Sequence, residues 1–259
     1  MAFRRASFNR CVRFNSQASS ELLTAYEEEV DTKIRRNQSE VRHKTFAPSQ
    51  FRCDRLSWFR LRGTEPDKLR TPDKSLEFRA MIGTACHRDI QENLKSMLKE
   101  DWISVSDYLK YNNFLNATAE ANPDNLESFV TITDPPVRFA CDGIIRWSGK
   151  YALIEIKSVE ASVWDELVEP LDEHRDQITC YGALLRIHKV FMIYVNRISG
   201  EIKCFEVDLP VSETDYVLKR MEYIQSMVKT NLAPAGLGRK DKWCNENYCP
   251  YYYKCKEYG

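Results

Sequence analysis

No stretch of the 259 residues approaches the roughly 20 apolar side chains that a membrane-spanning helix needs, so the composition speaks against a membrane protein. An excess of charge of one sign is missing as well: 38 Lys and Arg balance 38 Asp and Glu. Coating of DNA by bulk charge is thereby excluded, whereas a local basic face is not. Acids are absent from the first twenty residues, which hold Arg4, Arg5, Arg10 and Arg13. No apolar core follows them, which argues against a secretory signal. The start then reads as a disordered basic arm, the preferred reading, or as a mitochondrial transit peptide. Internal repeats and low-complexity blocks are not found. What is present is an ordinary apolar fraction, 43%, in a chain long enough to bury one sizeable core. One catalytic domain with appendages is expected, and two small domains would also fit. Nine cysteines without a secretory signal point to a reducing compartment, where spaced cysteines more often bind metal than form disulfides.

Apolar spacing predicts helices over 20–36, 76–98, 102–116, 174–188 and 213–230. Residues 45–63 read as a mixed segment and 122–136 as a loop. Residues 137–147 and 151–158 read as strands flanking Ser148-Gly149, and 190–196 and 202–209 as a second pair around Ser199-Gly200. Helix, strand pair, helix, strand pair, helix is the pattern of an α/β protein with a mixed sheet.

If Ser148-Gly149 is a two-residue hairpin loop, Trp147 pairs with Lys150 and Asp142 stands opposite Glu155. Opposed residues share a face, with Cβ atoms about 4.5–5.5 Å apart. Lys157, two residues on, lies on that face too, and Ala152, Ile154 and Ile156 lie on the other. Two carboxylates held that close repel, and a divalent cation relieves the conflict; hard oxygen ligands suit Mg²⁺ or Mn²⁺. Such a metal activates water and stabilises charge on a phosphate, while Lys157 would orient the water or stabilise the phosphate. A solvated sheet face with Glu and Lys paired for solubility is the competing reading. The apolar run Ala-Leu-Ile-Glu-Ile-Lys favours a buried strand, where charge needs a reason.

The run from Cys141-Asp142-Gly143 to Glu155-Ile156-Lys157 resembles the signature of the PD-(D/E)XK nucleases, with Cys141 where the family name has Pro. Gly83-Thr84-Ala85-Cys86-His87 resembles the Gly-x-x-x-His motif of the RecB-like branch, and Gln177-Ile178-Thr179-Cys180-Tyr181 its Gln-x-x-x-Tyr motif. The resemblance spans about residues 48–255. It implies a restriction-endonuclease-like α/β core, a central mixed sheet flanked by helices. It also implies that His87 helps bind the metal and that Gln177 and Tyr181 position DNA or order the site. Taken alone, His87 fits a satisfied core histidine, and Gln177 and Tyr181 fit an ordinary packed helix face.

Cys244, Cys249 and Cys255 form C-x₄-C-x₅-C, with Cys53 far upstream. One early and three late cysteines resemble the iron–sulfur nucleases of the same branch, among them AddB-type subunits and CRISPR-associated exonucleases. That implies a [4Fe–4S] cluster, although the usual first spacing there is x₂. Four thiolates also suit a structural Zn²⁺, the competing metal. Either would clip residues 231–259 onto Cys53. The tail interleaves Trp243, Tyr248, Tyr251, Tyr252 and Tyr253 with lysines, and Arg52, Arg55, Arg60 and Arg62 surround Cys53. These could stack on bases or touch phosphates, with packing the preferred role for the aromatics.

The expected organisation is a basic arm and helix over 1–44 and a nuclease domain over 45–259. The expected activity is a metal-dependent DNA exonuclease, with single-strand or flap endonuclease activity as an extension of the same chemistry. His87, Asp142, Glu155 and the Ile156 carbonyl would hold Mg²⁺ or Mn²⁺, with Lys157 acting on water or phosphate. The partner is DNA, single-stranded or with free ends. The setting is the cytoplasm of a bacterial or phage-infected cell, with the mitochondrion as alternative. A non-catalytic DNA-binding module of the same fold is the rival from another class; its mark would be a broken Asp, Glu or Lys, and none is broken.

Overall fold

Ser148 and Gly149 both adopt positive φ, 49° and 77°, the pair of left-handed residues that matches a tight hairpin to the twist of its strands. The loop joins β5 (Gly143–Trp147) to β6 (Lys150–Val159). Trp147 pairs with Lys150 and Gly143 with Ile154, the register that a two-residue loop dictates. The computed structural model describes residues 16–39, 44–67, 74–123, 125–238 and 240–258. The arginines of the basic arm, Arg4 to Arg13, lie outside them.

Two units divide the chain, 1–40 with 70–78, and 41–69 with 79–259. The first contains α1 (Ser16–Ser39), and Lys74 forms an ion pair with Glu27 at 2.9 Å. The second contains two sheets. In the larger sheet the strand order is β1 (Trp102–Ile103), β5, β6, β7 (Lys189–Asn196), β8 (Ile202–Asp208). β6 and β7 are parallel and the other pairs antiparallel, so the sheet is mixed. A parallel pair needs a crossover, here α5 (Ala161–Glu166) and α6 (Asp172–Leu185).

Both faces of β6 are covered, which explains its nearly unbroken apolar run. Ala152, Ile154 and Ile156 pack with Ile145, Ile193, Val195 and Ile90, the last from α3 (Lys74–Leu98). On the opposite face Leu153, Met192 and Tyr194 join a larger core with α2 (Asp54–Leu61), α6 and α7 (Val211–Lys229). Helices therefore flank a central mixed sheet, as the sequence pattern predicts.

Three elements depart from expectation. Residues 122–136 are not a loop: β3 (Ser128–Thr133) pairs with β2 (Ala117–Ala121) and β4 (Pro136–Cys141) in an antiparallel sheet. The clustered Asn and Pro residues mark its turns and hide the β-branched alternation between them. Residues 137–147 are not one strand, because the chain breaks at Asp142, leaving β4 in one sheet and β5 in the other. The helix expected over 102–116 shrinks to α4 (Val105–Tyr111), since Trp102 and Ile103 pair with β5 and Ser104 caps the helix. Among the described residues no helix is long and apolar enough to cross a membrane.

Candidate active site

Because β5 begins only at Gly143, the edge of β6 beyond Ile154 has lost its antiparallel neighbour. Asp142 takes over. Its Oδ2 accepts the Ile156 amide at 2.6 Å, while its own backbone carbonyl accepts Gln91 Nε2 at 2.8 Å. Asp142 is thus 4% exposed yet fixed from two sides. Its other oxygen, Oδ1, lies 3.4 Å from His87 Nδ1.

His87 reaches this point because Gly83, one turn earlier on α3, lets the helix close on β6: a Cβ at 83 would meet Ser158 Oγ at 3.2 Å. His87 Nδ1 also lies 3.1 Å from Glu127 Oε1. Glu127, immediately before β3, receives further hydrogen bonds from Asn122 Nδ2 and donates its backbone amide to Asn125 Oδ1. Ligand atoms of His87, Glu127 and Asp142 all lie within 4.8 Å of one another, a set that could hold a metal ion. Burial alone would lower the His87 pKa, but Asp142 and Glu127 outweigh it and raise it to about 10. Burial likewise opposes ionisation of Glu127, but hydrogen bonds from His87, Asn125 and Asn122 hold its carboxyl below the ordinary value. An imidazolium here occupies the position of positive charge that two carboxylates demand.

Glu127 was not anticipated from sequence. It sits in a stretch that reads as loop, and its histidine lies 40 residues upstream. An acid preceding the alternating run Phe129-Val130-Thr131-Ile132 was the available signal.

Glu155 is 3% exposed, and its Oε1 lies 2.6 Å from Lys157 Nζ. Burial pushes its pKa to about 7, with Asp142 adding to the rise and Lys157 opposing it. For Lys157, burial disfavours the charge, but Glu155 and Asp142 prevail and raise its pKa. Glu155 is absent from the close set of His87, Glu127 and Asp142 and joins it through Lys157 and the charge of Asp142.

Lys157 Nζ also donates to Gln177 Oε1 at 3.0 Å, and Gln177 Nε2 donates to the Tyr181 hydroxyl at 2.6 Å. Tyr181 stacks on Phe139 at 4.5 Å between ring centres. Gln177 and Tyr181 are buried, and their polar atoms are taken up by Lys157 and by each other. Their surroundings fit ordering of the site rather than a surface for a ligand.

Cys53 is the N-cap residue of α2, and Cys53, Cys249 and Cys255 border the main core. Burial, with a smaller contribution from nearby Cys53, Cys255 and Cys244, raises the Cys249 thiol to about 11. Among the described residues only His87, Glu127 and Asp142 bring three such ligand atoms within 4.8 Å of one another, and the four cysteine sulfurs do not form a set that close. The tail is also held without metal. Phe59 stacks on Tyr251 at 4.9 Å, Asp67 accepts the Tyr253 amide at 2.5 Å, and the Asp67 amide donates to the Pro250 carbonyl at 2.8 Å. Two of the arginines near Cys53 make contacts within the protein. Arg55 is buried and donates to the Pro234 carbonyl at 2.8 Å and to Cys255 Sγ at 3.5 Å, while Arg52 covers the Trp243 ring at 3.9 Å.

No protein-family model matches the chain, and no curated protein sequence does. Solved structures do resemble it. "Crystal structure of SSO0001" is 18% identical, covers 91% of this chain and 98% of its own, and has a TM-score of 0.50. At that identity the likeness shows a shared fold. An alkaline exonuclease, LHK-Exo, from Laribacter hongkongensis is 12% identical over 76% of this chain and 93% of its own, with a TM-score of 0.44. LHK-Exo in complex with dAMP is 13% identical, with coverage of 73% and 90% and a TM-score of 0.45.

Proposed function

We propose that the chain is a metal-dependent DNA nuclease, acting as an exonuclease, with residues 45–259 as its catalytic domain. One observation carries the reading: His87, Glu127 and Asp142 converge within 4.8 Å beside an ion pair of buried Glu155 and half-buried Lys157. Buried charge on this scale is expensive in a purely structural role.

His87, Asp142 and Glu127 would hold Mg²⁺ or Mn²⁺, with Glu155 and the Ile156 carbonyl completing the set as the motif implies. The donors fit the group: two carboxylates and an imidazole suit Mn²⁺ well and Mg²⁺ through its oxygens. When bound, the ion supplies Lewis acidity at a phosphate oxygen and lowers the pKa of a coordinated water. Asp142, fixed by Gln91 and Ile156, gives a ligand that needs no reorganisation. Glu155, held by Lys157 Nζ at 2.6 Å, keeps a second carboxylate close to Asp142. Lys157, oriented by Gln177 and Tyr181, places positive charge where the phosphate gains negative charge. The four cysteines would hold a [4Fe–4S] cluster or, in its place, Zn²⁺, fastening 231–259 to the segment at Cys53.

End-labelled single- and double-stranded DNA with Mg²⁺ or Mn²⁺ tests the reading. The wild type should degrade DNA, and Asp142→Ala and Lys157→Ala should lose cleavage by a factor of at least ~10² while staying folded. Undiminished cleavage in either variant sinks the assignment. Binding without cleavage by the wild type would select a non-catalytic DNA-binding module instead.

A further inference from the structure

Two polar groups beside the candidate site have no role in that chemistry. Tyr194 on β7 is fully buried and stands in register with Lys157 on β6. Its hydroxyl oxygen accepts the Leu171 amide at 3.2 Å and lies 2.9 Å from His174 Nδ1. An amide can only donate, so the phenol proton needs another acceptor. Among the described residues that acceptor is His174 Nδ1. The imidazole tautomer follows: Nδ1 accepts, and the hydrogen sits on Nε2.

His174 is half-buried, and its Nε2 has no partner among the described residues. It lies one helical turn before Gln177, so it shares the face of α6 that holds Lys157. The charge of Lys157 acts on the ring, and that of Glu155 acts on the Tyr194 phenol. Burial and Lys157 together lower the His174 pKa to about 3, so the ring is a neutral donor wherever the enzyme would operate. A fixed neutral N–H beside the half-buried ammonium of Lys157 suits an anion that this charge has already attracted.

We propose that His174, locked by Tyr194, donates its Nε2–H to a non-bridging phosphate oxygen of a DNA strand held at Lys157. The inference rests on the nuclease reading above. It makes His174 a substrate-binding residue and Tyr194 the residue that sets its tautomer. Contacts of this kind fix the position of the strand without reading its sequence.

The alternative is that the pair merely pins α6 to β7, and three variants separate the two. His174→Phe keeps a ring but no donor, His174→Gln keeps a donor near the Nε2 position, and Tyr194→Phe removes the lock. The measurements are melting temperature, steady-state cleavage of an oligonucleotide with Mn²⁺, and its Kd in EDTA. His174→Phe should raise KM and Kd about tenfold while kcat stays within about twofold. His174→Gln should restore most of the binding, and Tyr194→Phe should fall between. Equal Kd and KM in wild type and His174→Phe would overturn the proposal, as would equal losses in the Phe and Gln variants. A wild type that neither binds nor cuts DNA would sink the nuclease reading and this contact with it. Normal cleavage with no effect at His174 would sink this contact alone.

Discussion

Replacing Gln91 with Leu tests whether the proposed metal ligands are positioned from outside their own elements. Gln91 is fully buried on α3, and its amide works in two directions: Nε2 donates to the Asp142 carbonyl at 2.8 Å, and Oε1 accepts the Leu126 amide at 3.3 Å. One side chain thus holds the backbone at Asp142 and the backbone beside Glu127. Leu is similar in size, so the change removes hydrogen bonds rather than volume. The Asp142 carbonyl loses a short bond in a dry place, whereas the Leu126 bond is long and its residue half-buried. Orphaning the first costs about 1–3 kcal/mol and the second less, for a total of about 2–3 kcal/mol. In a domain of this size that lowers Tm by about 4–12 °C. Mn²⁺ affinity should fall about 10–100-fold, as when other residues that hold metal ligands are removed. Calorimetric titration with Mn²⁺ and a thermal melt read the two effects separately. Wild-type affinity in a destabilised variant would refute the positioning argument, and an unchanged Tm would refute the energetic one.

Gly83→Val should push α3 from β6, because even a Cβ meets Ser158 Oγ at 3.2 Å. A loss of about 1–3 kcal/mol with weaker Mn²⁺ binding is expected, measured by urea unfolding and titration. Stability should also depend on His174, whose pKa is about 3 when folded and 6.5 in its ordinary state. Between these values the unfolded chain binds the extra proton, so stability falls as pH drops through this window, by at most about 5 kcal/mol. Unfolding of wild type and His174→Phe from about pH 7 to about pH 4 should show a shallower decline in the variant, and parallel declines would contradict the shift. Protein purified without oxygen should be brown if the four cysteines hold iron and sulfide, and colourless with one zinc otherwise; Cys249→Ser should lose whichever metal is found.

The legible parts of the structure were those written locally. Ser148-Gly149 dictates a tight hairpin, and the hairpin dictates the register that brings Glu155 and Lys157 beside Asp142. The four-residue spacing that lines up Gln177 and Tyr181 is likewise local. Illegible were the contacts made by distant segments. Glu127 meets His87 only because β3 belongs to a second sheet, and that sheet depends on pairing with strands on both sides of it. Arg55 reads as a phosphate-binding side chain until the tail folds over it and offers the Pro234 carbonyl. His174 looks like any polar residue on a helix until Tyr194, twenty positions later, fixes its tautomer.

Asp142 is the whole connection between β4 and β5. Strands of one sheet enter it and strands of another leave it, so the chain has no slack there. A residue inserted at this point would invert which side chains of β5 face the core, because strand faces alternate with every residue. It would also draw the carboxylate away from the Ile156 amide. By contrast, the loop from Arg197 to Glu201 is exposed from Ile198 onward, where added length is absorbed by solvent. Among descendants of this sequence, lengths should drift in that loop and stay fixed at the joint between the sheets.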